Sequence, residues 1–311
     1  MRVLLHIDAI ETWRKTLAER LPNAEIVTAD DPADKRRDAD YLAVWKPSEA
    51  LLAEQTRVRG IINLGAGVDA LLANPALPAN VPIVKLRDAG MAELIADYAR
   101  YGVLHFQRDF DRYQHQQTQR EWREHAVVDK RDWQVGVLGL GAIGAKVAAI
   151  LAADGFPVHG WSRTPKSLDA IVCHHGDTGL TKLLGQVRTL VLLLPSTGST
   201  RHSIDAEALA ALPEGASLIP PGRGSLIDEA ALLDALGQGE QEGHLRGAIL
   251  DAFPEEPLPA SSPLWAHPRI WITPHMAGPT PLREAVDQVA AAIHAFEAGN
   301  EMETVDPDAG Y

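Results

Sequence analysis

The chain has 311 residues, 46% of them hydrophobic and 23% charged, which is room for two domains with a sizeable core. Its 29 basic and 42 acidic residues leave a formal charge of −13, which excludes a general nucleic-acid or anionic-membrane surface but permits a small basic pocket. The single cysteine, Cys173, excludes internal disulfides, Asp8 arrives too early for a signal-peptide core, and no apolar stretch approaches a membrane span, so the expected setting is the cytoplasm.

Short apolar runs predict strands at Arg2 to Ile7, Ile26 to Thr28, Tyr41 to Trp45, Ile61 to Leu64 and Val81 to Leu86, with a helix over Thr12 to Arg20. The first 90 residues thus alternate as one α/β domain. The charged run from Ala29 to Asp38 reads as a solvated loop or turn, and Pro47 stops the pairing after Trp45. In G-A-G-V-D (Gly65 to Asp69) small residues could expose backbone N–H groups to a carboxylate, or the glycines could serve conformation alone. Met91, Leu94, Ile95 and Tyr98 then open a long helix that continues through Leu104, Phe106 and Phe110, long enough to bridge two domains. Tyr113 to Asp132 is polar and aperiodic, an excursion from the compact body with Trp122 as its one large apolar side chain.

Trp133 to Lys166 organises the remainder. A buried strand (Val135 to Leu138) runs into Gly139, Gly141 and Gly144 in G-x-G-x-x-G spacing, then a helix (Ala142 to Ala153) and a second strand (Val158 to Trp161). That context makes a weak motif a strong sign of a dinucleotide: glycines allow a tight turn, close approach of a pyrophosphate and close helix packing, and the helix start at Ala142 and Ile143 offers N–H groups to the phosphates. NAD-binding versions carry an acidic residue at the end of the second strand. Here Ser162 stands there, with Arg163 and Lys166 beyond and no carboxylate before Asp169, a set suited to a ribose phosphate. The cofactor expected is NADPH, with NAD weaker.

Arg188 to Pro195 is too apolar to be half-exposed and is expected as a central strand. Further strands are expected at Ala216 to Ile219, Gly247 to Leu250 and Ile270 to Thr273. Asp228 should cap a helix over Glu229 to Leu236, and G-Q-G-E-Q-E-G from Gly237 reads as a surface loop. Thr280 and Pro281 should cap and start a last helix with Val286, Val289, Ile293 and Phe296 in one stripe. Arg223, Glu256 and His275 each follow a strand of the cofactor sheet, where open α/β folds bind ligands. An imidazole with a carboxylate beside it is a proton donor near neutral pH, and a guanidinium can hold a substrate carboxylate and polarise its carbonyl. Taken singly, His275 could be structural and Glu256 part of a solvated loop. Cys173 to His175 invites a metal reading, but nothing supplies further ligands at zinc-site spacing, so no metal is expected.

G-L-G-A-I-G, L-L-L-P-S-T-G-S-T, G-R-G-S-L-I-D, L-D-A-F-P-E-E-P-L and T-P-H-M-A-G together resemble, in order and spacing, the D-isomer-specific 2-hydroxyacid dehydrogenase family. L-G-A-G-V-D-A-L-L, D-A-G-M, F-P-V-H-G-W-S-R and the terminal G-Y look like its bacterial glyoxylate/hydroxypyruvate reductase A branch. The resemblance covers nearly the whole chain. It implies two α/β domains: a Rossmann-type doubly wound parallel sheet at 98–276 for the dinucleotide, and a smaller flavodoxin-like substrate domain from 1–97 plus 277–311. It implies that Arg223, Glu256 and His275 are catalytic and that Asp251 sits near the nicotinamide carboxamide. Pro195 and Thr200 would join the cofactor side; Trp45 and the backbone of Ala66, Gly67 and Val68 would join the substrate side. The family commonly has Asn three residues before its catalytic Arg, where this chain has Pro220 followed by Pro221, which removes donors and stiffens the turn. The expected activity is reduction of small 2-keto acids such as glyoxylate or hydroxypyruvate, with bulkier keto acids such as phenylpyruvate, or a dinucleotide-sensing regulator, as rivals. Relatives form two-fold dimers through the cofactor domain, some inserting an aromatic residue into the neighbour's pocket. A homodimer is therefore expected, with Trp122 either reaching its partner or folding back on its own long helix.

Overall fold

The computed structural model describes residues 1–237 and 243–311, so the expected loop between Gly237 and Gly243 lies outside the described residues. The chain divides into two compact units, 1–90 with 280–311, and 91–279. The division falls at the first residue of the long helix, a few residues from the expected 97/98 and 276/277, because a hydrogen-bonded helix stays with one unit as a whole.

The first unit runs β1 (Arg2–His6), α1 (Ile10–Arg20), β2 (Glu25–Thr28), α2 (Ala33–Arg36), β3 (Tyr41–Val44), α3 (Glu49–Ala53), β4 (Gly60–Asn63), α4 (Asp69–Leu72) and β5 (Ile83–Lys85). Its five strands are all parallel in the order β2-β1-β3-β4-β5, the flavodoxin-like arrangement. β3 and β4 are buried on both faces, as parallel strands covered by helices must be. The C-terminal helix, Leu282–Ala298, buries Ala285, Val286, Val289, Ala290 and Ile293, and Phe296 stacks on Tyr41 with ring centroids 5.7 Å apart. The Tyr41 hydroxyl donates to Glu297 at 2.6 Å, and burial, then that bond, pushes its pKa up to about 12.

Two expectations change here. The charged run holds α2, because Arg36 forks onto Glu54 at 2.9 and 3.0 Å and its guanidinium also donates to the carbonyl of Asp31 at 3.1 Å. Thr280 does not cap the last helix. Pro281 occupies that position without a side-chain bond, while the Thr280 hydroxyl donates to the Leu64 carbonyl at 3.2 Å.

The second unit runs α5 (Met91–Gln107), α6 (Phe110–Gln119), β6 (Val135–Leu138), α7 (Ala142–Ala153), β7 (Val158–Ser162), β8 (Ile171–His175), α8 (Gly176–Leu184), β9 (Thr189–Leu192), α9 (Ala206–Ala210), β10 (Ser217–Ile219), α10 (Glu229–Leu236), β11 (Gly247–Leu250) and β12 (Ile270–Ile272). The strand order is β12-β11-β10-β9-β6-β7-β8, all parallel, with the apolar β9 in the middle as its composition requires. Strand order reverses between β6 and β9, which makes the loops after these two strands the rim of a ligand crevice. Asp228 accepts from the N–H groups of Ala230 and Ala231, the expected cap of α10.

The expected single helix through Phe110 is two. It breaks at Asp109, whose φ of 57° is left-handed, and Asp109 together with Asp111 grips the Arg246 guanidinium, at 2.6 Å for Asp109. A largely buried ion pair thus fixes the break, and Tyr113 to Gln119 is helical rather than aperiodic. The helix α5 belongs wholly to the second unit instead of bridging the two. Among the described residues no helix is long and apolar enough to cross a membrane.

Candidate active site

The three glycines after β6 carry separate burdens. Gly139 has φ +103° and a Cβ there would lie 2.6 Å from the Leu193 carbonyl, so the turn needs glycine twice over. A Cβ on Gly144 would meet the Gly139 carbonyl at 1.7 Å, which leaves α7 no room for a larger residue. At Gly141 a Cβ would meet nothing within 4 Å, so this is the open face where a ligand backbone can approach. The helix α7 starts with no side-chain cap and no acidic residue in its first turn, leaving its N–H groups and positive end for phosphate. Exposed Ala142 and half-exposed Ile143 supply that first turn. The site therefore fits a pyrophosphate.

Beyond β7 the exposed Arg163 and Lys166 supply positive charge. Ser162, expected on the cofactor side, is only 8% exposed, and its hydroxyl donates to the Thr164 carbonyl at 2.8 Å, a bond that shapes the turn. After β9, the Thr200 hydroxyl donates to the Pro195 carbonyl at 2.7 Å and accepts from the Thr197 N–H at 2.8 Å, a loop fastened on itself. The hydroxyls of Ser196 and Ser225 lie 2.7 Å apart and join that loop to the turn bearing Arg223.

His275 follows β12 and Glu256 lies beyond β11. The Nδ1 of His275 sits 2.8 and 2.9 Å from the two Glu256 oxygens, and the Phe253 N–H donates to the same carboxylate at 3.1 Å. The backbone of His275 is left-handed, φ 52°, a strained state for a residue with a Cβ. Its N–H donates to the carbonyls of Asp251 at 2.8 Å and Thr273 at 3.1 Å, which holds it there. Arg223 is half-buried after β10, with Nη1 on its own Gly222 carbonyl at 3.1 Å. A Cβ on Gly224 would lie 2.3 Å from the Phe253 Cα, so glycine lets the Arg223 turn lie on the segment leading to Glu256. Pro220 and Pro221, which precede it, are both buried.

Asp251, expected near the nicotinamide carboxamide, is fully buried. Its carboxylate accepts from the Thr273 hydroxyl at 2.6 Å and from the N–H groups of Met276 and Ala277, both at 2.9 Å. It fastens the turn that presents His275.

In the first unit, the turn after β4 is tied by Asn63, whose amide donates to the carbonyls of Gly65 and Gly67, both at 2.9 Å. Gly65 is needed for space, not for a special φ: a Cβ would lie 2.2 Å from the Trp45 ring. Ala66 and Gly67 stay partly exposed while Val68 is buried, so a backbone stretch framed by Trp45 is presented at the strand end. Cys173 to His175 form β8, and the His174 Nε2 lies 3.1 Å from His159 Nδ1; burial lowers the pKa of both imidazoles. Among the described residues no group of three or more His, Cys, Asp or Glu side chains is gathered as metal ligands would be.

Sequence reasoning missed Asn63, Thr273 and the Asp251 anchor. An amide side chain two residues before G-A-G was a readable signal for Asn63, whereas Thr273 shows its role only through partners distant in sequence.

The description "D-isomer specific 2-hydroxyacid dehydrogenase, NAD binding domain" matches residues 101–277. The chain is 44% identical over 294 residues to the glyoxylate/hydroxypyruvate reductase A of Serratia proteamaculans, covering 93% of this chain and 92% of that one. It is similar to a D-isomer specific 2-hydroxyacid dehydrogenase from Xanthobacter autotrophicus Py2 solved with NADPH and MES, at 38% identity and TM-score 0.91 over 99% of both chains. The NADPH-dependent glyoxylate/hydroxypyruvate reductase of Sinorhizobium meliloti, solved with NADP and sulfate, matches at 33% identity and TM-score 0.91, covering 100% of this chain and 99% of that one. The chain belongs to the D-isomer specific 2-hydroxyacid dehydrogenase family. Within it, the chain resembles the glyoxylate/hydroxypyruvate reductase A branch.

The glycine geometry separates folding from cofactor binding. Gly144→Ala should lower stability by about 3 kcal/mol or prevent folding, since backbone must shift to admit the methyl. Gly141→Ala should leave the melting temperature nearly unchanged and weaken NADPH at least tenfold, roughly 1.4 kcal/mol, because the methyl occupies the open face. Thermal melts and NADPH fluorescence titrations check both; unaltered affinity in Gly141→Ala would place the phosphates elsewhere.

Proposed function

We propose that the protein reduces small 2-keto acids, with glyoxylate and hydroxypyruvate as the substrates to be compared first, to the corresponding 2-hydroxy acids using NADPH. The observation that carries this is the His275–Glu256 pair at 2.8 and 2.9 Å, set on loops after the adjacent strands β11 and β12 of the sheet whose glycine turn is shaped for a dinucleotide. Gly139, Gly141, Ala142, Ile143 and Gly144 would hold the pyrophosphate, with Pro195 and Thr200 on the neighbouring loop. Arg163 and Lys166 would take the ribose phosphate. When bound, the reduced nicotinamide supplies the hydride.

The protein's own part is acid catalysis and charge. Glu256 accepts from Nδ1 and fixes the ring, which leaves Nε2–H to protonate the carbonyl oxygen as it gains charge. Arg223 stabilises that charge and holds the acid group. The backbone of Ala66 to Val68, with Trp45 beside it, would receive the substrate carboxylate. The reductase relatives, two of them with NADP(H) in their solved structures, support this reading.

We also propose a homodimer formed through the second unit, in a cytoplasmic setting. Trp122 is 96% exposed, so it does not fold back onto α5, and Phe110 and Trp265 of the same unit are about half exposed. A cavity of about 1260 Å³ lined by Phe106, His115, Glu121, Arg246 and Trp271 gives a partner's aromatic side chain a place to anchor.

His275→Ala should lower kcat about 100-fold or more with NADPH affinity retained, as loss of a general acid requires; near-normal turnover would mean another proton donor. Arg163→Ala should raise the KM for NADPH about tenfold and leave that for NADH nearly unchanged, since the lost bonds are charge-assisted ones worth roughly 1.5–3 kcal/mol. Equal losses with both cofactors would sink the phosphate assignment. Sedimentation should give a dimer, and Trp122→Ala should shift the ratio of rates on glyoxylate and phenylpyruvate more than it shifts the melting temperature. An active monomer, or unaltered ratios, would defeat the proposed interface.

A further inference from the structure

One face of α5 runs along the segment 271–278 that carries His275. A Cβ on Gly278 would lie 2.6 Å from Ile95, the Tyr98 hydroxyl is 2.6 Å from the Thr273 hydroxyl, and Tyr101 stacks on Trp271 with ring centroids 5.5 Å apart. Residues 95, 98 and 101 recur every three positions, so successive turns of one helix face grip β12 and its loop. The middle contact is polar, and its direction can be worked out. The Asp251 carboxylate only accepts, so the Thr273 hydroxyl must give it its proton at 2.6 Å. Thr273 Oγ1 can then only accept from Tyr98, whose hydroxyl must be the donor at 2.6 Å. Burial raises the pKa of Tyr98 well above the ordinary phenol range, and the charge of Asp251 adds to this, so the donor keeps its proton at working pH.

The relay ends at the general acid. Asp251 receives Thr273 Oγ1 and Met276 N on one oxygen and Ala277 N on the other, and its carbonyl receives the His275 N–H. His275 therefore stands in a left-handed conformation with hydrogen bonds to Asp251 on both sides of it in the chain. We propose that Tyr98 is a positioning residue for His275: its hydroxyl, through Thr273, orients the Asp251 carboxylate that clamps residues 275–277. This rests on His275 being the proton donor. Without the Tyr98 donor, Thr273 keeps a hydroxyl free to turn from Asp251, and the clamp loses one of its three donors.

Four variants test it: Tyr98→Phe, which keeps the ring, Thr273→Val, Thr273→Ser, and the double variant Tyr98→Phe with Thr273→Val. With glyoxylate and NADPH, Tyr98→Phe should lower kcat about tenfold while the keto-acid KM and the NADPH dissociation constant stay within about twofold. Thr273→Val should lose at least as much. Thr273→Ser should recover to within about threefold, and the double variant should lose little beyond Thr273→Val, because both act through one path. Amide hydrogen exchange in the peptide 271–279 should accelerate in Tyr98→Phe at an unchanged melting temperature. An active wild-type chain whose Tyr98→Phe variant keeps kcat within twofold, or whose 271–279 exchange is unaltered, overturns the positioning role alone. A wild-type chain that turns over no 2-keto acid instead overturns the reading on which it rests.

Discussion

A fully buried carboxylate has to find every partner inside the protein, and Asp251 does so at the carboxyl end of β11. Leaving such a group unpaired costs several kcal/mol, so the three donors around it are held against a steep penalty. Two of those donors are backbone N–H groups of residues 276 and 277, directly after His275. The penalty for exposing or unpairing Asp251 is thereby converted into rigidity of the segment that bears the imidazole. The same charge explains how a left-handed histidine persists: strain of roughly 1–3 kcal/mol is smaller than the loss that relaxing the turn would incur.

A second constraint comes from close backbone approach. The Arg223 turn can lie on the Phe253 segment because residue 224 has no Cβ, and α7 can start against β6 because residue 144 has none. Both contacts join loops that leave the sheet at the carboxyl ends of neighbouring or switch-point strands. Parallel pairing sends all these ends to one edge, so a guanidinium, a carboxylate and an imidazole distant in sequence become neighbours of a phosphate-shaped turn. The hydroxyl pair of Ser196 and Ser225 completes the link between the cofactor loop and the Arg223 turn.

Most strands were legible because parallel strands are buried on both faces and write themselves as unbroken apolar runs, as at residues 189–192 and 247–250. β8 was not, because an edge strand with a mixed burial pattern carries neither an apolar run nor clean alternation. The break between α5 and α6 was hidden for another reason. It depends on Arg246, whose ion pair with Asp109 spans 137 positions of sequence. In the site, the glycines, Arg223, Glu256 and His275 could be read from motif spacing. The internal hydrogen bonds of Asp251, Ser162 and Thr200 could not, since a polar residue beside a ligand loop does not show in sequence which carbonyl or hydroxyl it meets.

The Ser162 bond bears on how the cofactor end is selected. Once the Ser162 hydroxyl is committed to the Thr164 carbonyl, the turn after β7 keeps cations and no nearby acid as its means of discrimination. On the proposed reading, in which Arg163 and Lys166 take the ribose phosphate, selection is electrostatic rather than a matter of a shaped hydroxyl contact, and it weakens with ionic strength because both side chains are exposed. With a net charge of −13 the chain as a whole repels an anionic dinucleotide, so any attraction for the more highly charged one must come from the local positive turn. Preference for the phosphorylated cofactor should accordingly narrow as salt is raised, which NADPH and NADH titrations at low and high ionic strength check.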